Sequence, residues 1–239
     1  MTLSGHQAIV RTVCFNPTND LILLSGGQID KDVKVWNSET GINIANLSGH
    51  SGDIHSIKMA QDGSFAISVS TDKKILLFDI RCQKAVCKMD ASAYPEMHDV
   101  ALSNNQQQSL EGGNNMMANM GAGANSPQNV MGENLNGFAA IGHSDGSVSI
   151  WNLYMQQCFA HQKLHSKEVR GVSYSVDGFF VASASYDGQV HISDTVNLEQ
   201  MSVVKTLEHE DKVVSVKWHP YLPLLLSTSA DKTARIWYP

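Results

Sequence analysis

Three sets of residues carry the side chains that an acyl-transfer triad requires: His50, Ser70 and Asp72; His165, Ser185 and Asp187; and His209, Ser229 and Asp231, the last with Trp237 close by in sequence. In such a constellation the serine is the nucleophile and the histidine its base. A triad works once, beside an oxyanion hole, whereas this set returns at a fixed interval along the chain, and several identical active sites in one domain make no chemical sense. His161-x-x-x-His165 has the spacing of a zinc pair, but no cysteine pair accompanies it, and Cys82 and Cys87 straddle a turn. No GxxxxGK[ST] loop and no GxGxxG after a strand is present, so nothing cradles phosphate. The expectation is that there is no catalytic residue, no cofactor site, no metal site and no small-molecule substrate.

A recurring set of polar residues asks what element repeats beneath it. The pattern apolar-x-x-apolar-x-apolar occurs five times, as Val10-Val13-Phe15, Ile54-Ile57-Met59, Met97-Val100-Leu102, Val169-Val172-Tyr174 and Val213-Val216-Trp218. Its middle members lie 44, 43, 72 and 44 residues apart. Each pattern is followed by an Asp placed six residues before the end of an alternating strand: Asp30 before Trp36, Asp72 before Phe78, Asp145 before Trp151, Asp187 before Ser193 and Asp231 before Trp237. Alternation flanking a short polar segment such as Ser144-Asp145-Gly146 reads as two antiparallel strands joined by a tight turn, in which the Asp side chain accepts from nearby backbone donors. A His stands 28 residues before the strand end in three units (His50, His165, His209) and 30 before it in the first (His6); the third unit lacks it.

The pairs Gly5-His6 and Gly49-His50, the turn Asp at a constant offset, and the strand-closing Trp36, Trp151 and Trp237 resemble WD40 repeats. The Trp-Asp dipeptide itself is missing, the equivalents reading Trp36-Asn37, Phe78-Asp79, Trp151-Asn152, Ser193-Asp194 and Trp237-Tyr238. The resemblance implies an all-β fold, a WD40-type β-propeller with five four-stranded blades over residues 1–239, in units of about 1–41, 42–84, 85–155, 156–200 and 201–239. In the last unit the strands are expected near Val203–Leu207, Val213–Trp218, Leu224–Thr228 and Ala234–Trp237. Two closures are compatible with five units: a five-bladed ring latched by the short stretch Met1–Leu3, or part of a larger, seven-bladed ring with upstream blades contributed by another segment; the second is preferred. The resemblance also makes the polar set a structural network, in which Asp and Ser satisfy His and the indole N–H of Trp. It comprises His6, Asp30, Trp36, His50, Ser70, Asp72, Asp145, Trp151, His165, Ser185, Asp187, His209, Ser229, Asp231 and Trp237.

The long interval in the third unit comes from residues 104–136, rich in Asn, Gln, Gly and Met, free of aromatic residues and charged only at Glu111 and Glu133. So little large apolar material cannot offset ordering entropy, and a flexible insertion replacing a hairpin loop is expected. Lys and Arg number 17 against 23 Asp and Glu, a net charge of −6, which excludes a basic phosphate-seeking protein and with it direct nucleic-acid binding. The longest apolar run, Leu222 to Leu226, is broken by Pro223, so no membrane span or membrane partner is expected. The N-terminal residues carry no secretory signal, and four scattered cysteines suit a reducing, cytoplasmic location.

These features favour a non-enzymatic protein–protein interaction scaffold. By the resemblance, partner-binding residues lie beside the turn Asp and at the start of the first strand of each unit, which selects Arg11, His55, His98, Lys167, Arg170 and Tyr186. The last two repeats, from His165 through Glu208-His209-Glu210-Asp211 to Ser229-Ala230-Asp231, are similar to the C-terminal propeller of nemitin-like proteins, which implies a subunit of a microtubule-based or ciliary (axonemal) assembly. The alternatives are a WD40 scaffold or substrate receptor in an RNA-processing complex or ubiquitin ligase and, from another class, a hydrolase.

Overall fold

A computed structural model describes residues 1–103, 137–196 and 201–238, all β-sheet and connecting loops. The insertion expected at 104–136 lies outside the described residues. The first sheet contains β1 (Val10–Asn16), β2 (Asn19–Gly27), β3 (Val33–Asn37) and β4 (Asn43–Leu47) in sequential antiparallel order. The second contains β5 (Ile54–Met59), β6 (Phe65–Ser70), β7 (Lys74–Asp79) and β8 (Lys84–Asp90); the third β9 (Met97–Leu102), β10 (Phe138–His143), β11 (Ser147–Asn152) and β12 (Gln157–Lys163). The fourth contains β13 (Val169–Tyr174), β14 (Phe180–Ser185), β15 (Gln189–Asp194) and β16 (Ser202–Glu208), and the fifth has three strands, β17 (Val213–Trp218), β18 (Leu225–Ser229) and β19 (Ala234–Trp237). The five sheets are the blades of a β-propeller.

One expectation is corrected. The strand read near Val203–Leu207 as the first of the last unit is part of β16 and pairs with β15 in the fourth sheet. Periodicity fixes the length of a repeat but not its phase: each sequence unit begins with the outer strand of one blade and ends with the three inner strands of the next.

Burial on both faces explains why several strands are apolar throughout. In Ile75-Leu76-Leu77-Phe78 every side chain is buried. Because side chains alternate across a strand, Leu76 and Phe78 pack with Leu24 and Val35 of the first blade, while Ile75 and Leu77 pack with Met97 and Val100 of the third. Each such side chain contributes about 1.5–3 kcal/mol of apolar burial. The innermost strands also bond from blade to blade. Thr12 Oγ1 on β1 accepts from Ile57 N (3.2 Å), Asp99 on β9 accepts from Val172 N (3.0 Å), and Ser173 Oγ on β13 accepts from Trp218 N (3.1 Å). Asp99 also accepts from Ser56 Oγ at 2.6 Å and lies 3.6 Å from Lys58 Nζ. Burial opposes its charge, yet Lys58, Lys217, Ser56 and the Val172 N–H together hold its carboxyl below the usual carboxylate range.

The turn after β2 and its equivalents demand left-handed backbone at the residue after the Asp. Lys31, Lys73 and Lys232 take φ of 61°, 58° and 69°, and Gly146 and Gly188 take 91° and 90°. At Gly146 there is a second constraint, since a Cβ would meet the His165 carbonyl oxygen at 2.3 Å.

Candidate functional site

The polar set assembles at the edge of each blade, with one systematic difference from the sequence reading. In the second blade His50 Nδ1 lies 3.1 Å from Asp72 and its Nε2 lies 2.6 Å from Ser68 Oγ. In the fourth, His165 lies 3.0 Å from Asp187 and 2.8 Å from Ser183 Oγ; in the fifth, His209 lies 2.8 Å from Asp231 and 2.7 Å from Ser227 Oγ. The first blade pairs His6 with Asp30 and, at 2.6 Å, with Ser25. Where the indole is present its N–H donates to the same hydroxyl, Trp36 to Ser25 and Trp237 to Ser227, both at 2.7 Å.

Ser70, Ser185 and Ser229 are therefore not the histidine's partners. Each accepts from the backbone N–H of its turn Asp (3.2, 3.1 and 3.1 Å), and Ser185 and Ser229 donate to the carbonyls of Lys167 and Asp211. The Asp sits in the turn and bonds Nδ1, so the imidazole carries Nε2 away from the turn, to the hydroxyl one alternation deeper in the strand. Residues two apart share a face, so spacing from the Asp could not separate them. Nor could the interval from the histidine, which is constant for both sets; the first blade does separate them, since Ser25 bonds His6 there while Gly27 stands at the position of Ser70.

The third blade builds the network from different positions. Ile141 stands where the others carry Ser, and His143, on the same face two residues on, bonds Ser149 Oγ at 2.7 Å and the Pro95 carbonyl at 3.1 Å. Trp151 donates to Ser149 at 2.9 Å. Asp145 accepts from Ser147, whose hydroxyl also lies 2.8 Å from His161 Nε2. His161 and His165, the pair with zinc spacing, thus belong to the networks of different blades. In the fourth blade Ser193 replaces the indole, and His191 stacks on His165 with ring centroids 4.1 Å apart.

The proton arrangement follows from burial, which pushes His143 and His165 down to about 4 and lowers His50 in the same direction. A neutral ring donates from Nδ1 to the carboxylate and accepts at Nε2 from the Ser hydroxyl, which in turn accepts from the indole. Ser183–His165–Asp187 thereby has the connectivity of a catalytic triad. The decisive difference is access: the serines at 68, 183 and 227 are buried, so no scissile carbonyl can approach them. Ser227→Ala removes the acceptor of Trp237 and the donor to His209, and a loss of about 2 kcal/mol is expected. Ser229→Ala, in a half-exposed turn where water replaces its bonds, is expected to cost under about 1 kcal/mol; urea unfolding of both variants compares them.

The residues selected for partner binding fall on the corresponding end of the innermost strands. Arg11, His55, His98 and Arg170 each occupy the second position of β1, β5, β9 and β13. Five side chains form a continuous strip: His55 stacks on His98 (5.6 Å), His98 Nε2 lies 3.1 Å from Glu168, Glu168 holds Arg170 at 3.3 Å, and Arg170 covers the Tyr186 ring at 5.3 Å. Lys212 lies over the same ring at 5.1 Å; neither it nor Glu168 stands at a position that the repeats mark. Arg11 and Lys167 are exposed beside the strip. Burial lowers His98 from its ordinary value, with Arg170 and His55 acting in the same direction. Among the described residues one group of metal-ligating types converges, His55, Glu96 and His98, with donor atoms within 4.8 Å of one another. His55 Nδ1 is already bonded to the Met97 carbonyl at 2.7 Å.

Comparison with known proteins accords with this geometry. A family model described as WD domain, G-beta repeat matches residues 1–37, 41–79, 156–194 and 201–238, passing over residues 80–155, which hold the first three strands of the third blade. Among curated proteins, the chain is 25% identical over 98% of its length to the apoptotic protease-activating factor 1 of Mus musculus, of which it covers 19%. It is 24% identical to the eukaryotic translation initiation factor 3 subunit I of Eremothecium gossypii, over 86% of this chain and 66% of that one. It is 24% identical to the nuclear distribution protein PAC1 of Komagataella phaffii, over 99% of this chain and 41% of that one. The chain thus spans less than two thirds of each of these relatives. With the matched repeats covering more than half of it, the chain belongs to the WD40 repeat family.

Proposed function

We propose that this chain is a non-enzymatic scaffold that holds another protein against the strip from His55 to Lys212. The observation that carries this reading is the strip itself: side chains from four blades meet at one end of the propeller, while the serines bonded to the histidines, at 25, 68, 183 and 227, are sealed in the blades. Arg and Tyr are the residue types that anchor interfaces, and a rigid sheet edge presents them at little entropic cost. This end carries both signs of charge, Arg11, Lys167, Arg170 and Lys212 beside Glu96, Glu168 and Asp211, so a partner surface of mixed charge would complement it.

The finer reading places the chain in a microtubule-based or axonemal assembly. It is supported by the likeness of the last two repeats to nemitin-like proteins and by the relative named as a nuclear distribution protein. Cosedimentation with microtubules tests it. Wild type is expected to pellet in a salt-sensitive manner, and Arg170→Glu with Tyr186→Ala to lose at least about tenfold in affinity. A wild-type chain that stays in the supernatant at low salt rejects the microtubule assignment and leaves the scaffold reading to be tested on other partners.

A further inference from the structure

The two end blades leave uncovered the faces that every inner blade buries. The middle apolar residue of the first-strand pattern is 0% exposed at Ile57, Val100 and Val172 and 1% at Val216, but Val13 is 61% exposed, and Phe15 beside it 60%. On the opposite face the residues aligned with Leu226 and Ile236, such as Leu24 and Val35 in the first blade or Ile67 and Leu77 in the second, are no more than 2% exposed, whereas Leu226 is 43% and Ile236 64% exposed. No strand of the fifth sheet packs broadly against the first.

We propose that these two faces are interblade interfaces awaiting further blades of this same repeat type, supplied from outside residues 1–239. What covers such a face is on display four times within the molecule: the first strand of one blade lies against the second and third strands of the blade before it. Two further features select a blade as the occupant. Among the described residues the fifth sheet has no fourth strand and the β19 edge at Ala234–Trp237 has no partner, while the other four sheets have a fourth strand. Leu3-Ser4-Gly5-His6 repeats Leu47-Ser48-Gly49-His50, so Met1–Leu3 hold the place of the outer strand of a preceding blade. They lie beside Gly41 in the first blade, where a Cβ would meet Met1 Sδ at 3.1 Å, and not on β19. A second copy answers these needs poorly. Head-to-tail pairing through unlike faces leaves the same two faces open at its ends, and Met1–Leu3 of that copy already occupy their own first blade.

The test extends the full chain with its own sequence. A second copy of residues 40–90 appended after Pro239 supplies a fourth strand for the fifth sheet and one complete blade. The extended chain is expected to bind less of the dye ANS and to unfold about 5 °C higher than the original. Ile236→Asp is expected to lower the midpoint of the extended chain by about 5 °C or more and to leave that of the original within about 1 °C. A parallel extension with residues 155–210 guards against a failure specific to one repeat. The proposal is overturned if neither extension is stabilised. It is equally overturned if Ile236→Asp and Val13→Asp destabilise the original chain as monomer, which means that its own ends meet, or if they dissociate a discrete dimer, which means that a second copy covers the faces.

Discussion

Replacing Asp99 by Ala is expected to cost about 3 kcal/mol, among the largest effects of any polar substitution in this chain. The carboxylate is only 14% exposed, accepts from Ser56 Oγ and the Val172 N–H, and faces Lys58 at 3.6 Å, with Lys217 also acting on it. It therefore joins the innermost strands of the second, third and fourth blades. Removing it leaves two ammonium groups without their counter-charge and an interblade N–H without an acceptor; the first effect outweighs the second, because an uncompensated charge near the interior costs more than a lost neutral bond. Asp99→Asn keeps an acceptor for Ser56 and Val172 but not the charge, so an intermediate loss is expected. In a chain of this length about 3 kcal/mol corresponds to a fall in melting temperature of roughly 6–12 °C. Loss of less than about 1 kcal/mol in urea unfolding would show that the charge is satisfied by water.

Acid should destabilise the protein before its carboxylates titrate. His143 and His165 are held down to about 4 by burial, against an ordinary value near 6.5. Between those values the unfolded chain binds protons that the folded chain refuses, so stability is complete above about pH 6.5 and declines as the pH falls toward 4. Each histidine contributes a slope approaching about 1.4 kcal/mol per pH unit, and on the order of 3 kcal/mol in all. His50 adds in the same direction, and the lowered carboxyls of Asp72 and Asp187 extend the loss further into acid. Melting temperatures from pH 7.5 to 4.5 should fall with decreasing pH, and His165→Gln should reduce the slope by about one proton while lowering stability at neutral pH. A flat profile over that range would mean that the histidines titrate alike in the folded and unfolded chain.

Much of the architecture is legible in the sequence because it is periodic. The first-strand pattern, the turn Asp and the closing Trp each recur, and each is a local consequence of antiparallel strands joined by a tight turn. What escaped had physical causes of three kinds. The sequence points to serines 70, 185 and 229 because alternation puts those residues on the same face as 68, 183 and 227, and the reach of an imidazole between its two nitrogens selects the deeper set. The network of the third blade was half hidden because His143 and Ser149 occupy positions that belong to other residue types elsewhere. The strip shows in the sequence through His55, His98, Arg170 and Tyr186, but its continuity depends on Glu168 and Lys212, which no repeat position marks. Asp99 escaped altogether, since its partners come from different blades and no sequence interval connects them.

The scaffold reading is tested most directly by separating binding from folding at the strip. Arg170→Glu with Tyr186→Ala should weaken pelleting with microtubules at least about tenfold while the melting temperature stays within about 2 °C of wild type, and raising the ionic strength should weaken wild-type binding progressively. Unchanged pelleting by the double variant, with wild-type binding insensitive to salt, would contradict the assignment of this strip as the partner-binding surface.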